Sequence, residues 1–415
     1  MFVVGKPMSA SDVQVQSART ATHVYARGQR YPSVRLGHGC TVSYAALWFG
    51  ESEYSPADAA TCWEWLTRAL QGDWTDDRTL RLLATPATTG RDLWARTLDR
   101  VGFPVMSPEA QGCIRPTAGQ GRMQCFPRDG QLRGMHEYDA RMAYVALMDE
   151  LPVGEPLWLP GTELRDLLNE QPYTEGRYDV TWQAPRGWQH PGILAAHDDG
   201  PNDWCWPTQG RGWAGGAELL LARREGWDVT FHGGWVWQAK ASPLRVWRNR
   251  LLRVLKRSEV LPDPHRRMIR FAVRAILLHT IGAFYGSPHW VTEQGEYPPD
   301  NARRVRALAN GQLTWERPQA AAWPQMVHPE WTVTLWGRAR ARLMKGHRGA
   351  TGALTIHPDK LVAFRTDAVY TTEPTGWELH DDGQPGRYVR HDYAFAEPQP
   401  WPTYGPELLR LRELS

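Results

Sequence analysis

Apolar residues recur at helical spacing in several long stretches of the chain. A helix is predicted over 56–70, because a Ser-Pro start signal precedes apolar positions three and four residues apart. Another is expected over 216–225, which a glycine follows as a stop signal. The pattern over 244–286 is helical almost throughout, with a proline-rich break at 261–264, so it predicts two helices. A last helix is expected around 331–345.

Alternating apolar and polar residues predict strands in the middle of the chain. These segments are GRYDVTWQAP at 176–185, GILAAH at 192–197 and WDVTFHGGWVWQ at 227–238. We expect them to lie in one antiparallel sheet. Residues 287–330 are rich in Pro, Gly and Trp and have little periodicity, which indicates an irregular connection or a small insertion.

Two aspartates stand at the ends of predicted strands. A glycine-punctuated hairpin leads into a short strand that ends at Asp139, and a helix is predicted from about Met142. Further along, the segment LTIHPDKLVAFRTDAVYTTEP alternates in strand fashion and places Asp367 at a hairpin bend or strand edge. An Asp after a strand is most often a turn or helix-cap residue, so neither aspartate alone indicates a function.

Composition indicates a folded chain with local basic clusters. Apolar residues make up 42% of the sequence and include 22 tryptophans, which supplies ample core, while the charged fraction of 22% is ordinary. The net charge of +3 hides arginines that crowd 245–274 and 338–348. These clusters predict either patches that face phosphates or solvated helix faces.

Cysteine usage and the start of the chain bear on cellular location. The five cysteines are odd in number and form no CxxC pair, so neither a zinc site nor a disulfide framework is predicted. The first residues lack a charged segment followed by an apolar one, and no later run approaches the roughly 20 apolar residues of a membrane span. We therefore expect a reduced, cytoplasmic protein with no membrane partner.

Two carboxylates on adjoining strands meet the main requirement of nucleotidyl transfer. That chemistry gains most from two divalent ions that clamp the attacking and leaving oxygens. Magnesium prefers oxygen ligands and keeps several waters, so a protein needs to supply few ligands. Asp139 and Asp367 are therefore candidate metal ligands if the fold brings them together.

The segment around Asp139 resembles motif A of family B DNA polymerases. The sequence YDARMAY, which ends at Tyr144, is followed by LPVGEP, and the family pattern is DxxSLYP followed by a Gly-x-Pro turn. By this resemblance Asp139 binds metal, and Tyr144 packs under the deoxyribose and excludes a 2′-hydroxyl. The alternative for Tyr144 is an ordinary core aromatic. The match departs at Met142 and Val145, where the family has Ser and Pro.

The end of the basic helix resembles motif B, KxxxNSxYG, which meets the incoming nucleotide in that family. Tyr285 and Gly286 match the pattern, whereas Gly and Ala replace the Asn and Ser, and Leu278 stands at the lysine position. Arg274 lies one helical turn before Leu278, and Arg270 lies one turn earlier still. These arginines either reach a triphosphate in place of the lysine or are solvent-exposed helix residues.

Two further segments complete the resemblance. The sequence FRTDAVY resembles motif C, YxDTDS, with the second Asp present as Asp367 and the first replaced by Arg365. Near the C-terminus, GRYVR falls where the family places a basic motif that grips the primer strand. Arg387 and Arg390 are the candidate contacts, and a plain surface turn is the alternative.

The resemblance implies an α+β fold built on a polymerase palm, an antiparallel sheet with packed helices. Helical fingers, a small N-terminal α/β region and a reduced or absent thumb complete the expected architecture. The expected boundaries are an N-terminal cap at 1–115, a palm at 116–243 and 331–395, fingers with an insertion at 244–330, and a C-terminal tail or thumb remnant at 396–415.

The implied function is DNA-directed DNA synthesis with two Mg²⁺ or Mn²⁺ ions. Template-primer DNA and dNTPs are the implied partners, together with a priming or processivity protein. The protein-primed branch of phages and linear plasmids is the nearest match. Proofreading is not expected, because Glu51, Glu53 and Asp58 lie near a helix start, where acids are common for other reasons. A polymerase-derived nucleic-acid-binding or assembly module without catalysis, and a nuclease using the same carboxylates, are the alternatives.

Overall fold

A computed structural model gives the fold over most of the chain. It describes residues 2–3, 43–50, 54–74, 80–83, 85–98, 102–119, 121–197, 204–286, 289–298, 303–308, 312–319, 324–345 and 351–414. Much of the expected N-terminal cap, with Glu51 and Glu53, lies outside these residues.

Five of the described helices lie close to where the sequence predicts them. The described helices are α1 (Ala45–Phe49), α2 (Pro56–Asp73), α3 (Pro86–Ala95), α4 (Pro108–Ile114), α5 (Gly161–Glu170), α6 (Gly216–Arg224), α7 (Arg245–Arg257), α8 (His265–Tyr285), α9 (Pro329–Met344) and α10 (Gly405–Glu413). Ser55 caps α2 in a capping box with Asp58, which explains why this helix start is evident from the sequence. The predicted helix from Met142 is wrong: a turn and one 3₁₀ turn at Val145–Leu147 follow Asp139 instead.

The strands form several antiparallel sheets and one short parallel pair. They are β1 (Phe2–Val3), β2 (Ser43–Tyr44), β3 (Arg122–Cys125), β4 (Gln131–Ala140), β5 (Leu151–Val153), β6 (Leu157–Pro160), β7 (Glu175–Gln183), β8 (Ala196–His197), β9 (Trp204–Cys205), β10 (Gln209–Gly215), β11 (Asp228–Trp237), β12 (Ala239–Ala241), β13 (His289–Gly295), β14 (Arg303–Ala307), β15 (Leu313–Gln319), β16 (Leu361–Thr366), β17 (Ala368–Thr371) and β18 (Tyr388–Pro400).

The largest sheet has five antiparallel strands in the order β18-β4-β17-β16-β3. Its register aligns Val389, Asp139, Ala368, Arg365 and Met123 in one row across the sheet. Directly paired residues share a face, so this row projects to one side of the sheet. Side chains on the opposite face pack in a hydrophobic core that this sheet shares with a second sheet. Helix α10 packs on the face of Asp139, further along the strands, against Met135 and Tyr370.

The second sheet has the order β10-β7-β11-β6 and contains two of the three predicted middle strands. The GILAAH segment contributes only β8, which pairs with β9 in a separate sheet, so the expectation of one sheet is wrong for this segment. Of the two expectations for 287–330, the irregular connection is wrong, because β13, β14 and β15 form a three-stranded antiparallel sheet there; the small insertion is not contradicted. These strands carry many polar and charged residues, so their alternation of apolar and polar positions is weak.

Helix α8 runs through a large apolar core. Its buried face meets α1, α3, α7 and α9, and Trp94, Phe284 and Trp331 pack edge to face at its C-terminal end. Among the described residues, α8 is the one helix whose length and composition would suffice to cross a membrane, contrary to the sequence expectation that no run approaches this length. More than half of its apolar window is buried inside the protein, as in a core helix.

A buried ion-pair network ties α6 and α9 to the second sheet. Glu218 accepts hydrogen bonds from Arg340 at 2.7 and 3.0 Å, and Arg177 lies 3.7 Å from the same carboxylate. All three side chains are at most 2% exposed. Charges this deep require partners, so the network fixes how the helices sit on the sheet.

Candidate active site

Antiparallel pairing brings the two predicted aspartates together. Asp139 is the penultimate residue of β4, and its partner in the register is Ala368, the first residue of β17. Asp367 immediately precedes Ala368, in the tight connection from β16 to β17. The hairpin bend predicted for Asp367 is confirmed. The two carboxylates are close enough for the charge of Asp367 to raise the pKa of Asp139.

Strained backbone flanks both aspartates. Met142 has a φ of 45° and Thr366 a φ of 55°, in a region that non-glycine residues rarely adopt. The Thr366 hydroxyl donates a 2.8 Å hydrogen bond to Oδ1 of Asp367, which holds that carboxylate at the bend. Such strain costs free energy and concentrates at functional sites, so it marks this end of the sheet.

The two carboxyl groups are hard to ionise where they lie. Burial and then the neighbouring charge of Asp367 raise the pKa of Asp139 to about 6, while Arg274 opposes the rise. Burial also raises the pKa of Asp367, against a hydrogen bond from Thr366 and the charges of Arg274 and Arg342. Nη2 of Arg274 lies 3.7 Å from Oδ2 of Asp139. Ionising both carboxyl groups costs free energy, and a bound cation would lower that cost.

Tyr144 lies beside the carboxylates. Burial first and the charge of Asp367 second raise the pKa of its hydroxyl to about 12, which keeps the phenol neutral at all ordinary pH values. Its ring packs against the large helical core. Tyr144 is therefore a core aromatic that also lies near Asp367, so the two interpretations from sequence do not exclude each other.

The predicted residues of α8 divide into two groups. Arg274 reaches Asp139, and Arg270 is exposed one turn earlier on the same helix. Tyr285 lies at the other end, where its hydroxyl donates to the carbonyl of Arg115 at 2.9 Å and its ring stacks on Trp336. Gly286 ends the helix with a φ of 58°. The contacts of Tyr285 and Gly286 are thus with the core around α9, whereas Arg274 contacts the carboxylate site.

The two C-terminal arginines lie at different places. Arg387 precedes β18 and makes a two-pronged pair with Asp382, at 3.1 and 2.9 Å. Arg390 pairs with Tyr138 in the register, so it projects from the opposite face to Asp139 and binds Glu378 and Asp392 there. The structure therefore does not bring Arg390 together with the carboxylates.

Two site residues were missed from sequence. His391 pairs with Glu137 in the register and projects from the face of Asp139, and its charge, when present, lowers the pKa of Asp139. Arg342 of α9 acts on Asp367 in the same sense. Strict alternation along β18 would have separated His391 from Arg390, but Arg342 is close only through tertiary packing, which no local pattern signals.

The donor set suits a hard divalent cation held by few protein ligands. Among the described residues no cluster of three or more His, Cys, Asp or Glu side chains is placed to hold a metal ion, which argues against a closed protein cage. Two neighbouring carboxylates with raised pKa values are oxygen ligands of the kind that Mg²⁺ or Mn²⁺ takes when water and substrate phosphates complete the shell.

The antiparallel sheets and their packed helices form a mixed α+β fold that resembles the fold of a DNA polymerase of known structure. Solved structures of phi29 DNA polymerase resemble it. The orthorhombic crystal form has a TM-score of 0.52 at 14% identity, over 82% of this chain and 58% of that one. The ternary complex with primer-template DNA and incoming nucleotides has a TM-score of 0.54 at 15% identity, over 90% and 71%. The complex with single-stranded DNA has a TM-score of 0.52 at 15% identity, over 90% and 71%.

The likeness is one of fold rather than of sequence. No protein-family model and no curated protein matches the sequence. The chain spans between 58% and 71% of the length of the phi29 structures. At an identity near 15%, the comparison shows the fold alone. The chemistry therefore has to be inferred from the residues of this chain.

Proposed function

We propose that this protein is a metal-dependent, DNA-directed DNA polymerase that adds dNTPs to a primer 3′-hydroxyl or other priming hydroxyl. The observation that carries the proposal is the juxtaposition of Asp139 and Asp367, which the register of β4 and β17 brings to one end of one sheet. Burial and the charge of Asp367 raise the pKa of Asp139, and a bound divalent cation would relieve that cost.

Mg²⁺ or Mn²⁺, when bound, supplies Lewis acidity to the two reacting oxygens, and Asp139 and Asp367 are the residues that would hold it. The other residues orient substrate. We propose that the ring of Tyr144, which packs against the core near Asp367, lies under the deoxyribose and excludes a 2′-hydroxyl. Arg274 is 47% exposed and lies 3.7 Å from Asp139, so it is free to turn from the carboxylate to a triphosphate, with Arg270 one turn behind. We propose that Tyr285 and Gly286 support α8 at its C-terminal end.

The partners we propose are template-primer DNA and dNTPs. The structures of phi29 DNA polymerase with primer-template and single-stranded DNA support this choice, and they motivate assignment to the protein-primed branch. We propose Arg387 as a strand contact, since it is exposed beside the start of β18, and Arg390 as a weaker one on the opposite face. We also propose a priming or processivity protein as a partner, and no proofreading site is proposed.

Incorporation of labelled dNTPs tests the proposal. Purified protein with Mg²⁺ or Mn²⁺ is offered primed, unprimed and protein-primed templates. Asp139→Asn and Asp367→Asn should each abolish incorporation, while Asp359→Asn, which removes an exposed carboxylate paired with Arg128 in the turn before β16, should leave it unchanged. Absence of incorporation by the wild-type protein on every template and with both metals would reject the polymerase.

A second candidate is a nucleic-acid-binding module without catalysis. Arg365 favours it, because it lies in the same row as Asp139 and puts a positive charge where the family has a carboxylate. This candidate predicts DNA binding that is unaffected by Asp139→Ala and Asp367→Ala, and no incorporation by any variant. A metal-dependent loss of labelled DNA would instead indicate a nuclease.

A further inference from the structure

A basic cavity lies beside the site that holds the aspartates. Its volume is about 530 Å³, and it is bounded by the turn at 145–149, by α7, by the end of α9 and by the turn at 384–387. Four cationic side chains line it, Arg248, Arg342, Lys345 and Arg387, against the single carboxylate of Asp149. Neither aspartate of the proposed site belongs to the lining.

Arg342 is the cation that lacks a carboxylate partner in this cavity. Its Nη2 donates to the carbonyl of Gly386, and its buried Nε has no hydrogen-bond partner among the residues that the structure describes. Arg342 therefore lines the cavity with a guanidinium charge that no carboxylate of the described chain neutralises.

The turn at 384–387 allows the Arg342 guanidinium to approach its backbone closely. Gly386 has a φ of 88°, and a Cβ at this position would overlap the Arg342 guanidinium. A side chain at 386 would therefore both strain the backbone and displace the arginine. The glycine allows the close approach, and the approach places a permanent positive charge in the wall of the cavity.

The other three cations can exchange their present partners for a ligand. Arg248 binds Asp149 at 3.0 Å, Lys345 binds Glu225 at 2.9 Å, and Arg387 binds Asp382. In each pair one or both partners are well exposed, and such pairs contribute little stability. An anion with several oxygens gains more from them, because guanidinium groups hold phosphate in charge-assisted, two-pronged hydrogen bonds.

We propose that this cavity binds a phosphate group. Four cations against one carboxylate match a multiply charged oxyanion, and the volume accommodates a nucleotide-sized portion of a strand. The phosphate comes either from a nucleic-acid backbone or from free pyrophosphate. The choice of these two sources rests on the proposed function. The cavity itself does not, because neither Asp139 nor Asp367 lines it.

Binding measurements without divalent ion or dNTP test the cavity independently of catalysis. A fluorescent single-stranded oligonucleotide is titrated by anisotropy at several salt concentrations, and sodium pyrophosphate is titrated alone by calorimetry. The variants are Lys345→Gln and Arg342→Gln, with urea unfolding to verify their folding. The matched control is Arg253→Gln, on α7 but paired with Asp73 away from the cavity.

If the strand is the ligand, each cavity variant should bind the oligonucleotide roughly fivefold more weakly. The slope of log affinity against log salt should fall by about 0.7 for each phosphate that the variant no longer neutralises. If pyrophosphate is the ligand, its binding should be weakened in the cavity variants and unchanged in Arg253→Gln. Cavity variants that match the control with both probes would overturn the proposal. An inactive wild-type protein would reject the polymerase and leave this result standing.

Discussion

Removing one acidic group of the candidate site should stabilise the metal-free protein. In Asp139→Asn the charge is lost while the shape of the side chain is retained. Burial and the neighbouring Asp367 raise the pKa of Asp139 to about 6, so the ionised carboxylate is a net cost to the folded state at neutral pH.

The magnitude follows from the size of the pKa shift. A rise from the ordinary value of 3.8 to about 6 corresponds to roughly 3 kcal/mol at pH 7. The side chain is 27% exposed, so we take this as an upper bound. The folded state binds the extra proton, so stability falls as pH rises from about 4 to about 6 and stays low above that range.

Urea unfolding with a chelator present measures this effect. At pH 7 Asp139→Asn should be more stable than wild type by up to about 3 kcal/mol, and near pH 4 the difference should disappear. Asp367→Asn should shift stability in the same direction. The double variant should gain less than the two single variants together, because each removes the same mutual repulsion. Destabilisation by Asp139→Asn at pH 7, with the slope m unchanged, would refute this reasoning.

Three further substitutions test other parts of the structure. Glu218→Ala leaves buried guanidinium groups without their carboxylate, so it should lower the free energy of unfolding by about 3–5 kcal/mol in urea titrations. Gly386→Ala should cost at least about 1 kcal/mol, because alanine is strained at this φ and meets Arg342, and an unchanged unfolding midpoint would contradict that packing. Tyr144→Val should raise ribonucleotide incorporation relative to deoxyribonucleotide by at least about tenfold in competition assays, and unchanged discrimination would remove Tyr144 from the sugar site.

Sequence periodicity was sufficient for five of the ten described helices and for the position of Asp367. Helices α2, α6, α7, α8 and α9 carry caps, stop signals or sustained apolar spacing, so their existence was predictable. The segment after Asp139 was not, because a 3₁₀ turn and a positive φ at Met142 have no pattern distinct from the start of a helix.

The pairing of strands could not be predicted from the sequence. Ala368 faces Asp139 only because β17 inserts between β4 and β16, and no local pattern specifies the register between strands that are over 200 residues apart. The same limit applies to β18. Arg390 was predicted for the site but projects from the opposite face of the sheet, whereas the next residue, His391, projects from the face of Asp139. Arg342 lies in the sequence beside Arg338 and Arg340, which pair with Glu175 and Glu218, and no local pattern distinguishes it from them.

The position of a bound metal ion would decide whether Asp139 and Asp367 form a catalytic pair. Crystals of the protein with primer-template, a non-hydrolysable dNTP and Mn²⁺ would show the ion by anomalous scattering. We predict Mn²⁺ at about 2.0–2.2 Å from carboxylate oxygens of both Asp139 and Asp367, with Arg274 turned toward the triphosphate. Mn²⁺ bound elsewhere, or an intact pair of Arg274 with Asp139 in the nucleotide complex, would contradict this assignment.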